Sequence, residues 1–281
     1  MSNILVPIDF VQASSSALRY SLHFAEALGK EIILLHVIYP EFEMLDLPVV
    51  SLQTTREKIE LARENMQQLV DQSLMQIQLD QDLESVPILR ADIEIGTPGP
   101  VIDTVSENDD IDFSIMGMRD DHSVLENWLG SVTQHIVTRS QKPVLVLPRE
   151  CNFKVPKRIL YASNFTEGDL EGIHWIMKNW APFEAQINIL HIHSGSKTIS
   201  ADHYAQHLEV ADGLQREFPN ITILDKEGDD PVEALLYYID EGEYDLLALF
   251  SPLKSWWERL THKSIAKQVI KLSEQPVLVL K

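Results

Sequence analysis

The segment KPVLVLP, residues 142–148, is repeated at the end of the chain as QPVLVLK, residues 275–281. The two copies lie 133 residues apart. The same offset aligns IDFSIMG (111–117) with YDLLALF (244–250). Repetition at this distance indicates an internal duplication of a domain-sized unit, because solenoid repeats have much shorter periods.

A second constant offset relates the beginnings of the two halves. NILVPIDF (3–10) aligns with RILYASNF (158–165) at an offset of 155, so 22 residues are missing from the middle of the second copy. The polar segment PRECNFKVPK (148–157), with a proline near each end, marks the boundary between the halves. We therefore predict two domains, residues 1–149 and 156–281.

Each half is predicted to alternate strands with helices. Short, continuous apolar strands joined through helices favour a parallel sheet that is covered on both faces. Right-handed crossovers then give an α/β fold class of two doubly wound parallel-sheet domains related by internal duplication. Ligands of such sheets bind at the carboxyl ends of the strands. In the first half the predicted strands are 3–8, 31–37, 87–95, 112–117 and 143–147, and the predicted helices are 14–28, 52–79, 100–107 and 129–140.

The charge of the chain argues against two classes of partner. The net charge is −20 over 281 residues. The first 150 residues contain 10 basic and 24 acidic residues, and the remainder contains 13 and 19. Such a field repels nucleic acid and anionic lipid, so we expect no nucleic-acid partner and no membrane association.

We expect the protein to be cytoplasmic. No apolar run approaches the about 18 residues of a membrane span, and the N-terminus does not have the pattern of a signal peptide. The single cysteine, Cys151, cannot form an internal disulfide.

Candidate ligand-binding residues follow the predicted strands of the first half. Asp9 ends the first strand and offers a carboxylate to an adenine amino group or a ribose hydroxyl. Gly117 ends the fourth strand and permits close approach of the backbone to a phosphate. Gly130 and Ser131 begin the next helix, where backbone N–H groups suit a phosphate oxygen. The alternative interpretation is structural, with Asp9 and Ser131 each capping a helix.

The order of these features resembles the universal stress proteins. The resemblance rests on the order of six features: a strand that ends in Asp9, the segment LLHV (34–37), Gly-Thr-Pro (96–98), a strand that ends in MG (116–117), LGS (129–131) and KPVLV (142–146). It covers nearly the whole chain, twice. It implies a tandem member with the adenine-nucleotide alpha hydrolase-like fold, adenosine contacts from Asp9 and the Val37 backbone, and phosphate contacts from the glycine-rich loop. The predicted cofactor-binding residues are Pro7, Ile8, Asp9, Val37, Met116, Gly117, Arg119, Gly130, Ser131 and Val132.

The chain departs from the family pattern at one position of this loop. ATP-binding members carry G-x2-G-x9-G-[ST], whereas position 120 here is Asp120. Each of the carboxylates of Asp120 and Asp121 near a triphosphate would cost about 1 kcal/mol or more. A bound Mg²⁺ makes the interaction between these carboxylates and the phosphates favourable, and the positive charge of Arg119 offsets part of the repulsion. The expected cofactor is ATP or another adenine nucleotide, with Mg²⁺.

The second half is predicted to have lost its site. Only Ser264 of the loop pattern remains, and the aromatic Trp256 and Trp257 are expected to fill the space of a nucleotide. We interpret this half as a degenerate, structural copy. The substituted positions are Asn164 for Asp9, Phe250 for Gly117, Leu253 for Asp120 and Lys263 for Gly130.

No metal site is expected, and the histidines are interpreted as structural or surface residues. His191 and His193 alternate on a strand and are expected to point to opposite faces. His203 and His207 share a helical face but lack the glutamate of a metalloprotease motif. His36 and His191 occupy equivalent positions, which predicts a packing or capping role at the end of the second strand.

The predicted role is stress response through nucleotide-gated interaction with an unknown protein partner. No catalytic residues are predicted, and any ATP hydrolysis would be slow because no general base or cationic finger stands out. One alternative is a nucleotide-independent scaffold, and another is an enzyme that acts on an adenylated substrate. The apolar strands 144–147 and 277–280 are predicted to pair as an intramolecular pseudo-dimer, with further homodimerisation open.

Overall fold

A computed structural model describes most of the chain. The described residues are 2–40, 52–80, 83–118, 130–149, 151–193, 210, 212–228, 230–251 and 265–281. The chain divides into two compact units, unit 1 (Met1–Phe153) and unit 2 (Lys154–Lys281). No helix among the described residues is long and apolar enough to cross a membrane.

Unit 1 is a doubly wound parallel sheet. Its described strands are β1 (Asn3–Ile8), β2 (Glu31–Ile38), β3 (Leu89–Ile95), β4 (Ile111–Gly117) and β5 (Val144–Leu147). They are ordered β3-β2-β1-β4-β5, and their pairings are all parallel. The strand order reverses at β1, so β1 marks the switch point. The connecting helices are α1 (Gln12–Leu28), α2 (Leu52–Asp80), α3 (Pro98–Ser106) and α4 (Ser131–Arg139).

Unit 2 repeats this topology. Its described strands are β6 (Arg158–Ala162), β7 (Gln186–His193), β8 (Ile221–Glu227), β9 (Leu246–Phe250) and β10 (Val277–Leu280). Their parallel order is β8-β7-β6-β9-β10. The helices are α5 (Glu167–Asn179), α6 (Pro231–Glu241) and α7 (Ile265–Leu272), with a 3₁₀ turn at Ala181–Phe183 and a helical segment at 212–217.

The apolar strands are buried because helices cover both faces of each sheet. Neighbouring side chains of β1, such as Leu5 and Val6, point to opposite faces and are both fully buried. The α1 helix contributes the fully buried Leu18, Leu22 and Phe24. Strands that are buried on both faces read as continuous apolar runs, which explains why the sequence predicted their positions.

The two offsets of the duplication correspond to structurally equivalent elements. The offset of 155 carries β2 onto β7, and the offset of 133 carries β5 onto β10. The connection from β2 to β3 spans residues 39–88, whereas the equivalent connection from β7 to β8 spans residues 194–220. The missing residues of the second copy are therefore lost from the connection that contains α2 in unit 1.

The observed helices of unit 1 differ slightly from the predicted ones at their starts. The α1 helix begins at Gln12 instead of residue 14, because Ser14 and Ser15 both donate backbone N–H groups to the Val11 carbonyl. The α3 helix begins at Pro98 instead of residue 100, since proline lacks the N–H that the first turn leaves unpaired.

The first helices of the two units begin in different ways. In unit 2 the N-cap residue Thr166 and the buried Asp169 form a capping box, in which Asp169 Oδ2 accepts from Thr166 N at 2.9 Å. Burial raises the pKa of the Asp169 carboxyl. In unit 1 the equivalent residues are Val11 and Ser14, and Val11 provides no side-chain cap. The start of α1 is therefore left open to other hydrogen-bond acceptors.

The capping box predicts a difference between the units. We expect Thr166→Ala to destabilise unit 2 by about 1 kcal/mol, because the N–H of Asp169 loses its side-chain acceptor. Thr166→Ser keeps the hydroxyl and serves as the matched control. Hydrogen exchange of the α5 backbone amides measures the effect, and equal exchange in the Ala and Ser variants would contradict it.

Candidate functional site

An open cleft lies at the carboxyl ends of β1, β2 and β4. Its volume is about 160 Å³. The position is the one where doubly wound sheets bind ligands, next to the switch point of strand order. The described lining residues are Pro7, Ile8, Asp9, Ala13, Ser14, Leu35, His36, Val37, Pro98, Ile102, Met116, Gly117, Gly130, Ser131, Val132 and Thr133.

Three helices begin at this cleft. The starts of α1, α3 and α4 contribute Ser14, Pro98 and Ser131 to its wall. None of the three N-cap residues makes a side-chain capping hydrogen bond. Unpaired N–H groups and the helix dipole make such a start favourable for an anion, although Pro98 removes one donor from α3. The cleft is therefore suited to a negatively charged group at the starts of α1 and α4.

The side chains of the cleft carry little formal charge. Among its described lining residues, Asp9 is the carboxylate, His36 is the histidine, and none is lysine or arginine. The Asp9 side chain is exposed, and its Oδ1 accepts a hydrogen bond from Val11 N at 3.3 Å. Attraction for an anion at these residues thus comes from backbone N–H groups instead of cationic side chains.

Neither Asp9 nor Ser131 is the N-cap residue of its helix. The N-cap of α1 is Val11, so Asp9 binds the backbone of the N-cap residue from two positions before it. The N-cap of α4 is Gly130, and Ser131 is the first helical residue. Ser131 is exposed at the cleft. A serine at that position leaves its hydroxyl available beside the first N–H groups of the helix.

His36 fixes the geometry at the ends of β1 and β2. Its Nδ1 lies 2.8 Å from the Ile8 carbonyl oxygen, which accepts a hydrogen bond from the ring. The ring also packs on Phe10, which has a positive φ of 62°. In unit 2, His191 Nδ1 binds the Ser163 carbonyl at 2.9 Å in the same way. The recurrence in both units indicates the packing role expected for these histidines.

Gly117 is required by close packing. A Cβ atom at this position would lie 2.3 Å from the carbonyl oxygen of Ala13, in the first turn of α1. No side chain fits there without moving the helix backbone. The glycine of the nucleotide-loop pattern therefore also allows β4 to end beside the start of α1.

In unit 2 the glycine of this contact lies on the helix instead of on the strand. The offset of 133 places Phe250 on Gly117, and the offset of 155 places Gly168 on Ala13. A Cβ atom on Gly168 would lie 2.1 Å from two carbon atoms of the Phe250 ring. The Phe250 ring thus packs against the start of α5. The loss of the second site stays a prediction.

Nine of the ten predicted cofactor-binding residues line the cleft, and they come from four separate segments of unit 1. Arg119 lies outside the described residues, as do Asp120 and Asp121. The unit 2 positions Leu253, Trp256, Trp257, Lys263 and Ser264 also lie outside them.

Sequence reasoning missed the walls contributed by the helices. Ala13, Ser14, Pro98, Ile102 and Thr133 were not predicted to line the cleft. The signal that could have found them is topological, since the first turn after each strand must lie beside that strand's carboxyl end. The β2 residues Leu35 and His36 were also missed as lining residues, because the sequence pattern pointed only to the backbone of Val37.

One expectation about the histidines is wrong. His191 and His193 lie on the same face of β7, with ring centroids 6.5 Å apart, because residues i and i+2 of a strand share a face. His193 Nδ1 lies 3.0 Å from Asp225 Oδ1. Among the described residues no group of three or more His, Cys, Asp or Glu side chains is arranged to hold a metal ion. His203 and His207 lie outside those residues.

The sequence matches a family model along nearly its whole length. The model of the universal stress protein family matches residues 1–148 and again residues 156–281. The chain belongs to the universal stress protein family. The two matches confirm a tandem universal stress protein and the duplicated α/β fold.

Three relatives illustrate the range of similarity. The universal stress protein MJ0577 of Methanocaldococcus jannaschii is 32% identical over 156 residues, which is 52% of this chain and 94% of that protein. A universal stress protein structure from Archaeoglobus fulgidus covers 99% of this chain and 98% of its own, with 21% identity and a TM-score of 0.75. The structure of PA1789 from Pseudomonas aeruginosa, described as functionally unknown, covers 100% and 92%, with 15% identity and a TM-score of 0.64. The two structures show the fold.

The reversed glycine pairs predict coupled effects on stability. We expect Gly168→Ala to cost about 1–3 kcal/mol in unfolding free energy, because the new methyl group overlaps the Phe250 ring. Combining it with Phe250→Ala removes the overlap, so the double variant should be more stable than the sum of the single effects. Urea unfolding measures the cycle.

Gly117→Ala provides the contrasting case in unit 1. Its methyl group meets the backbone of Ala13, so Ala13→Gly should not relieve the overlap with the carbonyl oxygen. Additive effects in the Gly168/Phe250 cycle, or a full rescue of Gly117→Ala by Ala13→Gly, would contradict the packing described.

Proposed function

We propose that unit 1 binds an adenine nucleotide in the cleft, and that the protein acts in stress response through an interaction that the nucleotide regulates. The observation that carries the proposal is the convergence of nine predicted residues on one cleft beside two open helix starts. Membership of the universal stress protein family supports the same interpretation.

The cleft offers separate surroundings for the two ends of a nucleotide. Gly130, Ser131 and Val132 begin α4 and suit the phosphates, because the first N–H groups of a helix have no partner within it. Asp9 and the backbone of Val37 lie on the sheet side of the cleft and suit the adenosine. Adenine offers an amino donor and ring acceptors, which match a carboxylate and a backbone N–H.

The charge of the nucleotide is the main obstacle to tight binding. The described lining residues include no lysine or arginine, and the whole chain has a net charge of −20. Phosphate groups would rely on helix dipoles, each typically stabilising by about 0.3–1 kcal/mol at exposed sites. Mg²⁺ bound to the phosphates would reduce the repulsion.

Unit 2 is proposed to be a structural copy without a nucleotide. The Phe250 ring packs against Gly168, and the buried Asp169 pairs with Thr166 at the start of α5. Neither contact is present at the equivalent helix start of unit 1. The predicted pairing of the β5 and β10 strands and the cytoplasmic location stay predictions.

A nucleotide-independent scaffold is the second candidate. The predicted loss of the second site and the strongly acidic composition favour it, because a fold can be retained for its surface alone. An enzyme that acts on an adenylated substrate has less support. The described lining residues of the cleft offer no cationic side chain to stabilise a transferred phosphoryl group.

Calorimetric titration tests the nucleotide directly. We expect ATP, ADP or AMP to bind one site per chain, with Mg²⁺ raising the affinity of the di- and triphosphate. Gly130→Lys, which copies the residue of the second half, should abolish binding because its side chain enters the cleft at the α4 start. Gly213→Lys is the matched control, since a Cβ atom on that exposed glycine of unit 2 would meet no heavy atom within 4 Å.

No binding of any of these nucleotides at millimolar concentration, by protein that remains folded, would leave the scaffold as the better conclusion. Equal loss of binding in Gly130→Lys and Gly213→Lys would show that the loss does not arise at the cleft. Mass spectrometry of small molecules released from the purified protein provides an independent check.

Because the start of α1 has no side-chain cap, we expect that capping it would raise the stability of the helix and weaken nucleotide binding. Val11→Thr with Ser14→Asp installs the capping box of unit 2, which should stabilise the start of α1 by about 1 kcal/mol. The new carboxylate lies at the wall of the cleft, so the affinity for ATP should fall by about tenfold or more.

Thermal unfolding and calorimetric titration measure these two effects. Val11→Thr alone is the control, because it adds the hydroxyl without the charge. Unchanged ATP affinity in the double variant would show that the phosphates do not approach the α1 start.

A further inference from the structure

Unit 1 contains a second cavity that is separate from the cleft. Its volume is about 310 Å³, and none of its described lining residues also lines the cleft. That volume is at the lower end of the range for small-molecule sites, about 300–1,000 Å³. The lining residues are Arg19, Tyr20 and His23 of α1, Ile77 of α2, and Cys151, Asn152 and Phe153.

Aromatic contacts hold the outer wall of this cavity in place. The Phe153 ring stacks on His23 at 5.6 Å with an interplanar angle of 9°. It also meets the edges of Tyr20 at 5.3 Å and Phe24 at 6.0 Å. The segment 151–153 is therefore packed onto α1, and the cavity has walls from three separate parts of unit 1.

The charge of this cavity is opposite to that of the chain. Arg19 is the charged residue among its described lining residues, and none of them is Asp or Glu. The Arg19 guanidinium donates to Gln76 Oε1 at 2.7 Å and Ser16 Oγ at 3.3 Å, both of which are uncharged. Other arginines of unit 1 pair with carboxylates, as Arg63 does with Glu60 at 2.9 Å. The Arg19 charge is thus held by neutral acceptors.

The remaining polar groups add hydrogen-bonding capacity without adding negative charge. Burial lowers the pKa of His23, and the nearby Glu26 opposes that shift. His23 is therefore neutral at pH 7 and has one ring nitrogen to donate and one to accept. The Glu26 carboxylate does not line the cavity, and its Oε1 accepts from Ser85 N at 2.6 Å. Asn152 and Tyr20 supply further donors.

We propose that this cavity binds a small organic anion through its carboxylate or phosphate group. Arg19 holds the anionic group, because a guanidinium presents paired N–H donors that match either one. Asn152 and His23 complete the polar wall, while Ile77 and Phe153 contact the carbon part of the ligand. Binding there would also fix the segment 151–153 against α1, immediately before unit 2 in the sequence.

The single cysteine makes the proposal directly testable. Cys151 lines the cavity and is the one thiol of the chain, so a thiol-reactive dye reports on this site alone. The labelling rate is measured while inorganic phosphate or succinate is titrated, with sodium chloride keeping the ionic strength constant. At a concentration about ninefold above Kd, labelling should slow about tenfold, because only the unliganded fraction reacts.

Variants of Arg19 separate a site from a general salt effect. Arg19→Gln should weaken the protection by about 10- to 100-fold, the loss typical of a charge-assisted hydrogen bond. Arg19→Lys keeps the charge and the fold but loses the paired N–H donors of the guanidinium, so partial protection is expected. Arg63→Gln, which removes an exposed arginine of the same unit, is the matched control and should leave protection unchanged. Circular dichroism confirms that each variant is folded.

The outcomes distinguish this site from the cleft. Protection by phosphate alone or by succinate alone assigns the ligand class, and either result supports the site if Gly130→Lys retains it. Protection that disappears in Gly130→Lys would place the anion in the cleft and overturn the proposal. Labelling that responds to both anions no more than to sodium chloride, or equally in folded Arg19→Gln, would also overturn it.

Discussion

The end of the fourth strand of each unit passes the first turn of the first helix so closely that each contact contains a glycine with no room for a Cβ atom. In unit 1 the strand residue is Gly117 and the helix residue Ala13, whereas in unit 2 Phe250 packs on Gly168. In unit 1 this contact lies at the cleft, since Ala13 and Gly117 both line it. In unit 2 the Phe250 ring is half-buried against the start of α5.

The local electrostatic potential in the cleft of unit 1 differs from the potential that the net charge of the whole chain produces. Right-handed crossovers in a parallel sheet bring helix starts to one edge, so unpaired N–H groups collect there. The charge of −20 is spread over the surface, where water and salt screen it at distances beyond about 10 Å. An anion can therefore be attracted by a few N–H groups on a protein of strongly negative net charge.

The two units retain the same structural devices and differ at the start of the first helix. The histidine–carbonyl contact occurs at His36 and at His191. The serine turn before the last strand occurs at Ser140 and at Ser273, each of which binds the residue two positions later. Asp169 closes the helix start that Ser14 leaves open, as expected if the second unit keeps the fold without the ligand.

The sequence by itself determined the duplication, the fold class and most of the cleft, because the apolar runs of buried parallel strands and their repetition are local patterns. The positions after those strands could be predicted since parallel strands end at one edge. Only the tertiary structure decided that Gly117 faces the Ala13 backbone and that Phe250 faces Gly168, because these contacts join residues about 80 to 100 positions apart. The same is true of the cavity around Arg19, whose walls come from α1, α2 and the segment 151–153. No local pattern of residues specifies a space enclosed by three distant segments.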